Sequence, residues 1–166
     1  MNFLKPLAAS LLLGLATPAL AAPALSVEFE LPLIDNGDAH RPFVAVWVEQ
    51  AGKPVRSLAL WMDDNEWEVD LRRWWRKAGR YGHQQLDAVT SATRSAGSYQ
   101  LNWDGRTASG QPAADGGYQL VLEAVREDGN RTLLKQPFNL GGEAQRFSLP
   151  AGQEIGPVTL TVGTSR

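Results

Sequence analysis

From Ser26 onward the chain alternates between apolar and polar positions. Val27, Phe29 and Leu31 stand between Glu28 and Glu30, a period of two that predicts a strand with one buried face. The run 41–50 (RPFVAVWVEQ) is apolar on both faces, which predicts a central strand covered on both sides. Residues 51–54 (AGKP) then turn the chain into a strand over Val55–Trp61. Alternation returns at Tyr99, Leu101 and Trp103, and again at Tyr118, Leu120, Leu122 and Ala124. Residues 127–130 (EDGN) form a hairpin-type turn, followed by short strands around Leu133–Leu140, Arg146–Leu149 and Val158–Val162. Many short antiparallel strands punctuated by Gly and Pro predict a mainly β fold, an antiparallel β-sandwich.

One segment breaks that period. Trp67, Leu71, Trp74 and Trp75 fall at i, i+4, i+7 and i+8, the spacing of one face of a helix. The predicted helix runs over about 65–78. Asp63, Asp64 or Asn65 caps its start, Gly79 ends it, and Glu66, Arg72, Arg73, Arg76 and Lys77 occupy the opposite face. No repeat or composition shift marks a second domain. The 166 residues suffice for one domain with a real core.

Composition narrows the setting. Lys5 precedes the apolar run 7–16, and residues 18–21 (PALA) end in a small-x-small pattern. This predicts a secretory signal peptide over 1–21, cleaved after Ala21, and one sandwich domain over 22–166. The apolar run is short for a membrane-spanning helix. With Lys5 removed, 15 cations remain against 18 acids, so the charge balance points to neither nucleic acid nor an anionic membrane surface. The chain has no Cys, which excludes disulfides, thiolate nucleophiles and thiolate metal sites. An exported chain without an obvious lipoprotein Cys is expected in the periplasm, stabilised by packing of its six Trp and five Phe.

Enzymatic chemistry is hard to assemble from these residues. Only His40 and His83 offer imidazole, and neither has metal or triad spacing. The acids at 35–38 (DNGD), 63–66 (DDNE), 104–105 and 115–117 read as turn formers and helix-start residues. Hydrolase readings are therefore weak.

Residues 97–125 (GSYQLNWDGRTASGQPAADGGYQLVLEAV) carry a G-x-Y-x-x-x-WDG…GGY-x-L pattern. It resembles the immunoglobulin-like domain of flagellar hook-capping proteins. There a strand ends in Trp-Asp-Gly, a Gly-rich loop reverses, and a Tyr-bearing strand returns. The resemblance implies an immunoglobulin-like sandwich, with Trp103 over the core edge and Asp104-Gly105 turning the chain; it implies a fold and no activity.

Residues 87–93 (DAVTSAT) fit D-x-x-[ST]-[GS]-A-[ST]. This resembles the flavinylation motif of FMN-binding subunits of sodium-pumping NADH:quinone oxidoreductases. In those subunits a separate FAD-dependent FMN transferase joins the FMN phosphate to the last hydroxyl residue. The resemblance implies that Thr93 is the attachment residue, Asp87 the first motif residue, and Thr90, Ser91 and Ala92 the recognition core. Ser91 stands where Gly is common. The residue types suit the chemistry, because a Thr hydroxyl can attack phosphorus once another protein supplies the dinucleotide. Asp87 can shape the Thr90 turn. Arg94, with Arg72, Arg73 or Arg76, can face the phosphate, and Trp74 or Trp75 can stack on the isoalloxazine.

The blocks RPFVAVWVEQ, SLALW, LRRWWR, DAVTSATR, WDG and EAVRED, in this order from about Val27 to Leu140, resemble a predicted periplasmic family, domain of unknown function 2271. Where that family often reads Arg-Glu-His-Gly, this chain has Arg126-Glu127-Asp128-Gly129. The resemblance implies an exported protein working beside the FMN transferase and a PepSY-type or other membrane reductase.

The resulting expectation is a periplasmic electron carrier with FMN bound covalently at Thr93. The alternative is a cofactor-free immunoglobulin-like binding or assembly module whose Trp-rich helix docks on a partner. A sugar-binding module with Trp platforms rests on composition alone. Burial separates the first two. An exposed Thr93 hydroxyl in a groove of Trp and Arg fits flavin; Trp74 and Trp75 inside the core, with Thr93 buried beneath them, fits the cofactor-free module.

Overall fold

A computed structural model describes residues 23–34, 40–63, 69–81, 88–127 and 129–164. The leader, Trp67, the caps Asp64 and Asn65, Asp87 and His83 lie outside the described residues.

Among the described residues nine strands make two sheets. The first has the order β5-β1-β9-β8, with β1 at Leu25–Leu31, β5 at Gly97–Trp103, β8 at Gln145–Leu149 and β9 at Val158–Val162. The second has the order β4-β3-β2-β6-β7, with β2 at Phe43–Gln50, β3 at Lys53–Trp61, β4 at Thr90–Ser91, β6 at Gly116–Val125 and β7 at Arg131–Leu140. Pairing is antiparallel except between β3 and β4, which run parallel. The sheets pack face to face around one core. Val27, Phe29, Leu160 and Val162 of the first sheet meet Val44, Val46, Leu120 and Leu122 of the second. This is the β-sandwich that the period-two pattern predicts.

The apolar character of β2 on both faces has a direct cause. Val44, Val46 and Val48 face the sandwich core, while Phe43, Ala45 and Trp47 form a second core with Leu71 and Trp74. A short helix, α1 (Arg72–Lys77), covers that outer face. Of the 65–78 expected to be helical from the Trp spacing, 65–68 lie outside the described residues, 69–70 is a 3-10 turn, and a further 3-10 turn at Gly79–Tyr81 follows α1. None of its own side chains caps its start. Instead the buried Glu123 carboxylate of β6 accepts the backbone N–H of Arg73 at 3.0 Å and of Trp74 at 2.8 Å. A tertiary acid thus does the work of an N-cap and complements the helix dipole. The helix ends at Lys77 with Ala78 as its C-cap, and Gly79 instead opens the 3-10 turn, where a Cβ would stand 2.5 Å from the Trp75 ring and 2.8 Å from that of Trp74.

One connection differs in detail from the sequence reading and another follows it. The β2–β3 turn needs only Ala51 and Gly52, both at positive φ (48° and 75°), as a two-residue primed turn requires. Strand β3 therefore starts at Lys53. Pro54 is tolerated opposite Glu49, because β4 covers β3 only at Leu60 and Trp61, leaving Pro54 on a free edge. At the other junction Trp103 is buried and donates Nε1–H to the Arg106 carbonyl at 2.7 Å, while Gly105 takes a φ of 77°. The Trp-Asp-Gly turn thus carries the chain from one sheet to the other.

Candidate functional site

Thr90 and Ser91, expected in a loop, form the short strand β4. Leu60 N–H donates to the Val89 carbonyl at 3.0 Å, and Met62 N–H to that of Ser91 at 2.9 Å. Trp61 pairs with Ser91. Because the two strands leave the sheet in parallel, the residues two beyond each end come side by side, and these are Asp63 and Thr93. The Thr93 hydroxyl donates to the Asp63 carboxylate, with Oγ1 2.8 Å from Oδ1 and 3.0 Å from Oδ2, and Thr93 N–H donates to Oδ1 at 3.1 Å. Thr93 is 6% exposed, whereas Asp63 is exposed.

The next residue points onto aromatic rings. The Arg94 guanidinium lies 4.9 Å from the Trp61 ring centroid and 5.9 Å from that of Tyr99, within cation–π range. Trp61 stacks on Phe29 with centroids 5.7 Å apart and meets Tyr99 edge-on at 5.0 Å. Tyr99 donates its hydroxyl to the Ser95 carbonyl at 2.6 Å, which holds the 93–96 segment against the sandwich end. Beside this segment a cavity of about 250 Å³ opens, lined on one side by Arg94, Ser95 and Ala96 and on the other by Leu33, Arg41 and Pro42. Arg126 also lines it, donating Nε–H to Glu154 at 2.9 Å and an Nη1 hydrogen to the His40 carbonyl.

The helix side of the expected site is arranged differently. Trp74 is fully buried against Trp47, Leu60 and Val121, with no ring face open to a ligand, and half-buried Trp75 packs on the same cluster. Arg73 is committed to the buried Glu49 at 3.0 Å, and Arg76 donates Nε–H to the Arg72 carbonyl at 3.1 Å. The expected stacking of flavin on Trp74 is therefore corrected: the apolar outer face of β2 and β6 takes that ring first. Of the residues singled out in the sequence, Thr90, Ser91, Ala92, Thr93 and Arg94 stay together at the end of β4. Trp74 and Arg73 belong to the helix–sheet contact.

Sequence reasoning missed Asp63 as the partner of Thr93, because an Asp before a predicted helix is read as its cap. It also missed the buried acids Glu49, Glu123 and Glu154 and their arginines. Arg131 binds Glu123 at 2.7 Å, and Arg126 binds Glu154 at 2.9 Å. Single acids inside the apolar runs FVAVWVEQ and LVLEAV were the available signal, since a buried carboxylate requires a partner. Among the described residues no cluster of His, Asp and Glu is suited to a metal ion, and no helix is long and apolar enough to cross a membrane.

Residues 24–157 match the model of a family described as predicted periplasmic protein (DUF2271). No curated protein matches the chain, and no solved structure does.

Proposed function

The chain belongs to the domain of unknown function 2271 family of predicted periplasmic proteins, and from that premise we propose that it is an exported electron carrier bearing FMN on Thr93. A separate FMN transferase would load it, and a PepSY-type or other membrane reductase would supply electrons. The observation that carries this reading is the contact between Thr93 Oγ1 and the Asp63 carboxylate at 2.8 Å.

That pair fits a phosphoryl acceptor. A Thr hydroxyl becomes a competent nucleophile when a base takes its proton as attack proceeds. Thr93 Oγ1 attacks the riboflavin-side phosphorus of FAD held by the transferase. The Oγ1–P bond forms, the pyrophosphate P–O bond to AMP breaks, and the hydroxyl proton passes to Asp63. Thr93 is buried, but the group over its hydroxyl is an exposed side chain and not a core residue. Arg94 then stands one residue from the phosphoester, where a guanidinium suits an anionic oxygen. Flavin, once bound, exchanges one or two electrons. The protein supplies the anchor and the surrounding charge.

A second reading has its own observation. Trp74 lies wholly inside the core and Thr93 is 6% exposed, as expected for a cofactor-free immunoglobulin-like binding or assembly module. One experiment separates the two. The protein is expressed in a periplasm with and without the FMN transferase, then denatured and examined by flavin fluorescence and intact mass. Covalent flavin that requires the transferase and is lost in Thr93→Ala supports the carrier. No added flavin mass on either wild type or Thr93→Ala leaves the cofactor-free module.

A further inference from the structure

Attachment at Thr93 leaves open where the rest of the flavin lies, and Trp74 and Arg73 do not receive it, because Trp74 is buried and Arg73 is held by Glu49. We propose, resting on the Thr93 reading, that the attached flavin lies in the cleft between residues 32–34, 40–42 and 94–96. Arg41 and Arg94 face its phosphate and polar edge, and Leu33 with the flanking prolines contacts the ring.

Position is the first argument. Residues 94–96, which follow Thr93 directly, form one wall of this cleft. At a maximum of about 3.5 Å per residue the wall lies within roughly 10 Å of Thr93 along the chain, a span suited to a ribityl chain. The cavity of about 250 Å³ lies a little below the usual range of about 300–1,000 Å³ for whole small-molecule sites. It therefore suits the ring system alone, with the phosphate outside at Thr93.

Charge is the second argument. Three arginines of the described residues line the cleft, and one of them is already neutralised: Arg126 meets Glu154 at 2.9 Å. Arg41 and Arg94 are exposed, and no carboxylate among the described residues pairs with either. Arg94 is also held in place, because its guanidinium rests on the Trp61 ring. A cation fixed before binding loses little freedom when an anion arrives.

The third argument is the apolar rim. Leu33 is 84% exposed, the largest value among the exposed bulky apolar side chains of the described residues. Pro32, Pro42 and Ala96 accompany it. A planar ring laid between this rim and two arginines removes apolar surface from water while its polar edge keeps donors.

A quenching experiment on flavin-loaded full-length protein tests the placement. Trp donates electrons to excited flavin on contact, so Leu33→Trp places a quencher at the rim without disturbing the core. At equal flavin content by intact mass, Leu33→Trp lowers flavin fluorescence at least fivefold relative to wild type. Val69→Trp, an exposed position outside the cleft, leaves it unchanged. In the double variant Arg41→Gln/Arg94→Gln, compared with wild type on the flavin-loaded fraction identified by intact mass, the flavin anisotropy falls as the ring leaves the cleft. Loaded Leu33→Trp that fluoresces like wild type overturns the cleft placement and leaves attachment standing. Unchanged anisotropy in the double variant overturns the role of the two arginines. Wild-type protein with no added mass after co-expression with the transferase overturns both readings at once.

Discussion

Thr93 and Asp63 are 30 residues apart in the chain, yet the Thr93 hydroxyl and backbone N–H both close on one Asp63 carboxylate. The cause is the parallel register of β3 and β4, which pairs Trp61 with Ser91 and carries both strands out of the sheet together. Under the flavin reading this contact has a kinetic consequence. Asp63→Asn retains an acceptor oxygen for the hydroxyl but removes the base. General-base catalysis of this kind contributes about 10²–10⁴-fold. Transferase-dependent gain of mass in Asp63→Asn is therefore expected to slow at least tenfold, with the circular dichroism spectrum unchanged. A rate equal to wild type would show that Asp63 only positions the loop.

The buried Glu123 holds three groups at once: the N–H of Arg73, the N–H of Trp74 and the Arg131 guanidinium. Removing one side of a buried charge pair costs about 3–5 kcal/mol, because the other is left unsatisfied. Glu123→Ala is expected to lose stability on that scale in urea titration. Glu123→Gln, which keeps one acceptor oxygen for the helix N–H groups, loses less. Equal losses would mean that volume and not hydrogen bonding decides the effect.

Gly79→Ala tests the close approach after the helix. The added methyl would sit 2.5–2.8 Å from the Trp75 and Trp74 ring atoms, so the rings or the backbone must shift. Overpacking of this kind costs about 1–3 kcal/mol. Thermal melting should show it, together with altered near-ultraviolet circular dichroism from the two indoles.

Trp74→Ala empties part of the second core and is expected to cost about 3–5 kcal/mol. The conservative Trp74→Phe distinguishes core from cofactor contact. It lowers the melting temperature but leaves the fluorescence yield of an attached flavin as in wild type. A large change in flavin emission with little loss of stability would return Trp74 to the flavin.

Alkaline stability carries a signature of Tyr118. Burial first, and the negative charge of Asp115 second, raise its pKa above the ordinary 10.0, although a hydrogen bond with Gln50 opposes this. The folded state therefore prefers the neutral phenol more strongly than the unfolded chain does. The associated stability is complete below pH 10 and is lost as pH rises from there through the folded value. Wild type should lose stability above pH 10 faster than Tyr118→Phe, although the variant lacks the 2.6 Å hydrogen bond to the Ala114 carbonyl. Parallel pH profiles would contradict this assignment.

Much of the fold was legible because side-chain direction in a strand is a local property. Alternation at 27–31, 99–103 and 118–124 translated directly into buried faces, and the doubly apolar 41–50 run became the middle strand of the second sheet. The helical spacing of Leu71, Trp74 and Trp75 likewise marked an apolar face. Nothing local, however, says what such a face covers. Trp74 suits a core and a flavin equally until the outer face of β2 and β6 is seen to need a lid.

The site divides in the same way. The sequence by itself determined which residues carry the hydroxyls of the 87–93 motif, that no thiol exists, and that strands dominate. Only the tertiary structure decided that Asp63 serves Thr93 and does not cap the helix, that Glu123 does the capping, and that Arg94 and Arg41 border one cleft while Arg73 is spent on Glu49. Backbone periodicity acts over neighbouring residues, whereas the partner of a lone charge is set by strand register across tens of residues. A single sequence read locally does not contain that register.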